Sequence, residues 1–104
     1  MARKVEWAGS AWIDLAEIAE YLERDSPSYA GAFVREVREA SRSLRSFSER
    51  GRIVPELQDP NLRELILGSY RLLYRVYENE VRIIGIVHGA RDFNRYRGDR
   101  PGKD

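Results

Sequence analysis

His88 is the only histidine in this 104-residue chain, and there is no cysteine. Disulfides and thiolate metal sites are therefore excluded. Imidazole titrates nearest neutral pH of the ordinary side chains, which makes His88 the natural candidate for a general acid. Glu56, in Pro55-Glu56, offers a carboxylate that can take up a proton. Arg71, in Tyr70-Arg71, offers a fork that grips phosphate through two bonds. A base, a cation and an acid are what metal-independent cleavage of a phosphodiester by its neighbouring hydroxyl requires. Each residue also has a plainer reading. Glu56 can form a structural ion pair with Arg63 or Arg71, since ion pairs perturb carboxylates without catalysis. His88 can end a strand bonded to backbone, with Arg71 in the same polar network.

A second constellation is purely cationic. Arg35, Arg38, Arg42 and Arg45 recur at spacings of three and four, so a helix places them on one stripe. Sixteen of the eighteen basic residues are arginine, lysine standing only at Lys4 and Lys103. Arginine's rigid fork tolerates burial at interfaces, so the stripe is a candidate surface for an acidic partner. Glu36 and Glu39 are interleaved with it, as on a solvated helix face.

The elements that position these residues follow from periodicity. Val5-Glu6-Trp7 alternates as a short strand, and Gly9-Ser10 ends it, with Ser10 available as a helix cap. Trp12, Leu15, Ile18, Ala19 and Leu22 then recur at helical spacing as one buried face, with Asp14, Glu17, Glu20 and Glu23 opposite. Asp25-Ser26-Pro27 breaks the chain, and Pro27 suits the first turn of a new helix capped by Ser26. Ala30, Phe33, Val37, Ala40, Leu44 and Phe47 form its apolar stripe. So short a break between two amphipathic helices predicts an antiparallel hairpin. Beyond Gly51 the period changes. Leu62–Leu67 and Tyr70–Tyr77 read as strands joined by a tight Gly68-Ser69 turn, and Glu78-Asn79-Glu80 turns into a third strand, Val81–Val87. Apolar residues on both faces of that last strand, Ile83-Ile84 and Ile86-Val87, predict a covered, central position. The expected fold is α+β, a β-α-α-β-β-β chain with a helical hairpin on one face of a small antiparallel sheet.

The length allows one domain, expected over residues 1–91, with a charged tail over 92–104 that is expected to be mobile or to order only on a partner. Met1 to Trp7 contains no apolar run long enough for a signal peptide, and the longest apolar stretches are strand-sized. Together with the missing cysteines, this gives an expected cytoplasmic location and no membrane contact. The formal net charge of +1 gives no whole-molecule attraction to nucleic acid.

Five segments taken in order resemble the RelE/ParE toxin superfamily. They are Asp14 to Leu22 followed by Ser26-Pro27, Gly51 to Glu56, Arg63 to Ile66, Tyr70 to Val76, and Val87 to Arg91. The resemblance implies a growth-arresting toxin neutralised by a cognate antitoxin, which in this superfamily usually carries a DNA-binding domain and a flexible wrapping segment. It calls for no metal and no cofactor. RelE-like members cut messenger RNA, typically at the ribosome, and some have Glu, Arg and His at positions resembling Glu56, Arg71 and His88. Arg91 would then be a second phosphate contact. ParE-like members inhibit DNA gyrase by protein–protein binding and also show Pro-Glu, Tyr-Arg and His-Gly at these places. Two departures favour the ParE-like branch. Lysine is absent between Lys4 and Lys103, and the near-zero net charge suits RNA binding poorly. Phe93 and Tyr96, the aromatics available to stack on a base, lie beyond the matching segments.

Overall fold

The computed structural model describes residues 2–89. Arg91, Phe93, Tyr96 and the 92–104 segment lie outside the described residues. The elements are β1 (Lys4–Trp7), α1 (Gly9–Glu23), α2 (Pro27–Ser43), β2 (Arg52–Ile53), β3 (Leu62–Leu67), β4 (Tyr70–Val76) and β5 (Glu80–His88). They build one sheet of order β1-β5-β4-β3-β2. The α+β class and element order are as expected. Two details are new: the two-residue strand β2 at the far edge, and the sense of β1, which joins β5 in parallel from Lys4↔Glu80 to Trp7↔Ile83. Among the described residues no helix is long and apolar enough to cross a membrane.

Helix α2 forms where its punctuation places it. Ser26 Oγ accepts the Tyr29 N–H at 3.2 Å, and Pro27 occupies the first turn, where its missing N–H costs nothing. Ala30, Phe33, Val37, Ala40 and the capping Leu44 are buried. Phe47 is not, because the helix stops at Ser43 and the three-four spacing no longer sets its direction.

Helix α1 keeps most of the expected face, with Leu15 buried and Ile18 and Leu22 packed against the core, but Ala11 joins it and Trp12 turns out. The helix starts at Gly9, with Ala8 as a cap that makes no side-chain bond, so Ser10 falls inside the first turn. Ser10 donates its hydroxyl to the Ile84 carbonyl at 2.9 Å, and Asp14 accepts the Ile86 N–H at 3.0 Å. Residues four apart on a helix share a face, so these two polar side chains address one strand edge together. Asp14 is thus buried rather than solvated, and Ala11 and Leu15 form the buried apolar stripe. Trp12, expected in the core, is half exposed and stacks on Trp7 with ring centroids 4.4 Å apart.

The sheet separates two apolar clusters. Against the helices lie Leu65, Leu67, Leu72, Tyr74, Ile83 and Ile86 with Phe33, Val37 and Leu44. On the other face, Val54, Leu57, Leu62, Leu73, Ile84 and Val87 pack under the 54–61 segment. Strict alternation would put Ile84 and Ile86 on one face. The pairing jumps from Leu73↔Gly85 to Tyr74↔Ile83, leaving Ile84 as an extra residue in β5. This bulge reverses the facing of everything after it. The turns follow their chemistry: Gly68, at φ 63°, takes the first position of the two-residue β3–β4 loop.

Gly51 lies in a tight spot before β2. Its N–H donates to the Tyr74 hydroxyl at 2.9 Å, and a Cβ there would stand 2.5 Å from the Glu64 carbonyl oxygen. Gly51→Ala is expected to lower stability by about 1–3 kcal/mol through overpacking, read as a lower urea midpoint. Gly9→Ala, whose added Cβ meets nothing within 4 Å, is the control and leaves the midpoint unchanged or slightly raised.

Candidate functional site

On the face away from the helices, four charged side chains form one network. The β2–β3 register sets Arg52 opposite Glu64, and β3–β4 pairing sets Arg71 opposite Ile66, diagonal to Glu64. The Glu64 side chain is fully buried, with Arg52 Nε 2.6 Å from Oε2 and Arg71 Nη1 3.0 Å from Oε1. A buried carboxylate persists only with such partners. Glu56 comes from the turn after β2, which is anchored by Val54 and Leu57 in the second cluster. Both of its oxygens lie 3.0 Å from the Arg71 guanidinium, one on Nη1 and one on Nη2. Arg71 Nη2 also donates to the Gly89 carbonyl at 2.6 Å. The Arg71 hydrogen bonds hold the Glu56 carboxyl below its ordinary range against the opposing effect of burial, and Glu56 in turn raises the Arg71 guanidinium. Glu56 thus stays ionised to lower pH than an isolated carboxylate and is a weaker base.

His88 does not join this network. Val87 pairs with Arg71, and His88 pairs with Tyr70, whose ring packs on Phe33 at 5.2 Å between centroids. The His88 ring meets Tyr70 edge-on at 5.7 Å. Residue pairs of this kind share a face, so the His88 side chain leaves β5 on the helix side and Arg71 leaves β4 on the other. The two still meet around one open depression at the end of the sheet, which Arg52, Ser69 and Gly89 also line. The structure therefore brings Glu56 and Arg71 together and holds His88 across the sheet from them. Arg91 lies outside the described residues.

Sequence reasoning missed Glu64, Arg52 and a further pair, Arg75 with Asp59. The Arg75 side chain is fully buried, and its Nη1 lies 2.9 Å from Asp59 Oδ2. Among the described residues, its Nε and Nη2 have no hydrogen-bond partner. The available signal was a charged residue at an otherwise apolar strand position, but its compensating partner is visible only once the register is known.

The arginine stripe is exposed, as a solvated face requires. Arg38, Arg42 and Arg45 line one wall of a groove that also includes Arg3, Lys4 and the stacked Trp7 and Trp12. Arg35 stands outside it.

The chain thus carries a helical hairpin on one face of its sheet and a network of arginines and carboxylates on the other, and it belongs to the RelE/ParE toxin superfamily. Within that superfamily the chain belongs to the ParE toxin family of the type II toxin–antitoxin system parDE, whose family model matches residues 5–93. It is 35% identical over 89 residues to the Toxin RelE2 of Caulobacter vibrioides, covering 85% of this chain and 97% of that protein. Among solved structures, it is similar to a chain of the chromosomal ParDE toxin–antitoxin system from P. aeruginosa, with a TM-score of 0.68 at 24% identity, covering 84% of this chain and 96% of that one. It is also similar to a chain of the RelBE2 toxin–antitoxin complex from Mycobacterium tuberculosis, with a TM-score of 0.57 at 22% identity, covering 85% and 99%. At these identities the two structures speak for the fold alone.

The ion pair predicts a pH dependence. A carboxyl whose folded pKa is depressed contributes stability above its unfolded pKa and loses that contribution as pH falls through the folded value. Glu56 is 44% exposed, so screening keeps its contribution small. Glu56→Gln is expected to lower stability near pH 7 by about 0.5–1 kcal/mol. Parallel urea melts should show the gap closing as pH drops below 4.5, the ordinary value for this group.

Proposed function

We propose that this toxin arrests growth by binding DNA gyrase, without catalysis of its own, and that a cognate antitoxin neutralises it. The relatives it resembles in fold come from toxin–antitoxin systems, which supports an antitoxin as its partner. One observation carries the choice of target. The three residues that would serve a nuclease are arranged as structure: Glu56 is locked on both oxygens by Arg71, and Arg71 is committed to Glu64 and the Gly89 carbonyl as well. His88 projects from the opposite face. A general base must be free to take a proton, and a phosphate clamp must present unspent donors. Neither condition suits Glu56 or Arg71 here. The surface left for a protein partner includes the groove walled by Arg38, Arg42 and Arg45, whose charge suits an acidic segment.

The second reading is a metal-independent messenger-RNA interferase acting at the ribosome. The depression shared by Arg52, Arg71 and His88 favours it, since it gathers three basic side chains at one end of the sheet.

Purified gyrase decides between them. Increasing amounts of toxin freed from its antitoxin are expected to suppress plasmid supercoiling or to leave cleaved plasmid. Glu56→Gln and His88→Ala should retain that inhibition, provided circular dichroism shows them folded. Unaffected gyrase, combined with RNA cleavage on ribosomes that His88→Ala abolishes, would overturn the proposal.

A further inference from the structure

The geometry points to a second binding site, a pocket between α1 and the end of the sheet that receives an arginine side chain from a partner polypeptide. The pocket has a volume of about 410 Å³ and lies beyond the end of β1, on the helix side of the sheet. It is distinct from the Arg71 network and does not depend on whether the target is gyrase or RNA.

Its lining is an unusual mixture. Tyr21, projecting from α1, is 60% exposed, while Tyr70 opposite is wedged between Phe33 and His88. Tyr29 lies close by, because it and Tyr21 both push the Tyr70 hydroxyl above its ordinary range, behind the larger effect of burial. Two aromatic faces thus border one small volume. Asp14 and Glu17 line the pocket beside His88, and among the described residues no arginine or lysine does. Asp14 is occupied by the Ile86 N–H, but among the described residues Glu17 has no cation within ion-pair distance. Ile18 and Ile86 add apolar surface to the wall.

Aromatic faces beside an uncompensated carboxylate attract a cation, because ring quadrupole and carboxylate act with the same sign. A guanidinium fits better than an ammonium. It is flat, stacks on tyrosine, is less strongly hydrated, and can fork onto Glu17. Ile18 and Ile86 suit its methylene stem. In a chain whose other groove is walled by arginines, this pocket is the place that selects the opposite charge.

The test uses the full chain and the peptide acetyl-Gly-Arg-Gly-amide, followed by NMR signals of the tyrosine and histidine rings. The expected result is saturable shifts at Tyr21, Tyr70 and His88. The citrulline peptide, of nearly the same shape but neutral, should bind about tenfold more weakly, the loss expected when a charge-assisted contact goes. Glu17→Gln, an exposed change that leaves the core untouched, should weaken the arginine peptide by a similar factor. Tyr21→Ala should cost about two- to fivefold, the scale of one cation–π contact. Equal binding of the two peptides, or no saturable shift, overturns the inference. So does a pocket that ignores the peptide while its tyrosine signals move on Glu17→Gln, which would mean that one of the chain's own arginines between 91 and 100 already fills it.

Discussion

Strand β5 is nine residues long and central to the sheet, but β1 beside it has only four residues. Among the described residues, the outer edge of β5 past Ile83 has no neighbouring strand, and its backbone groups must be satisfied in some other way. Helix α1 does this with two side chains, Ser10 on the Ile84 carbonyl and Asp14 on the Ile86 N–H. An unmade bond of this kind, buried, costs about 1–3 kcal/mol, so the pair fixes both the rotation and the depth of the helix. Much else follows from that placement. It commits the Ala11–Leu15 stripe to the core, turns Trp12 out onto Trp7, and leaves Glu17 and Tyr21 facing the end of the sheet.

The two faces of the sheet solve different problems. The helix side buries apolar surface in bulk and supplies most of the hydrophobic driving force. Among the described residues the other side has only the 54–61 segment as cover, and it holds charge: Glu64 between Arg52 and Arg71, and Arg75 on Asp59. Buried ion pairs are weak evidence for stability, since desolvation offsets their attraction. What such a network does supply is geometry. Glu56, Arg71 and the Gly89 carbonyl tie the turn after β2, the start of β4 and the residue after β5 to one guanidinium.

Much of this was legible from residue order. The Ser26-Pro27 start of α2, the Gly68-Ser69 turn and the doubly apolar β5 rest on local rules of capping, φ and alternation that act within a few residues. The helical period alone assigns Asp14 and Trp12, and it does not fix how the edges of a helix face meet the sheet. Ser10 reads as a cap, but the helix starts one residue before it. Phe47 failed because a spacing pattern outlived the helix that gave it meaning.

The sequence by itself determined the element order, the hairpin, the α+β class and the pool of residues able to do chemistry, since each depends on neighbours along the chain. Tertiary structure alone decided which of those residues meet. Counted by strict alternation, His88 falls on the face of Ile84 and so of Arg71. The extra residue in β5 turns it to the other side, toward Tyr70. No local signal announces that bulge, because it arises from how β4 and β5 pair over their whole length. A single unpaired residue thus separates a histidine from an arginine and a glutamate that the chain seemed to hold ready for it.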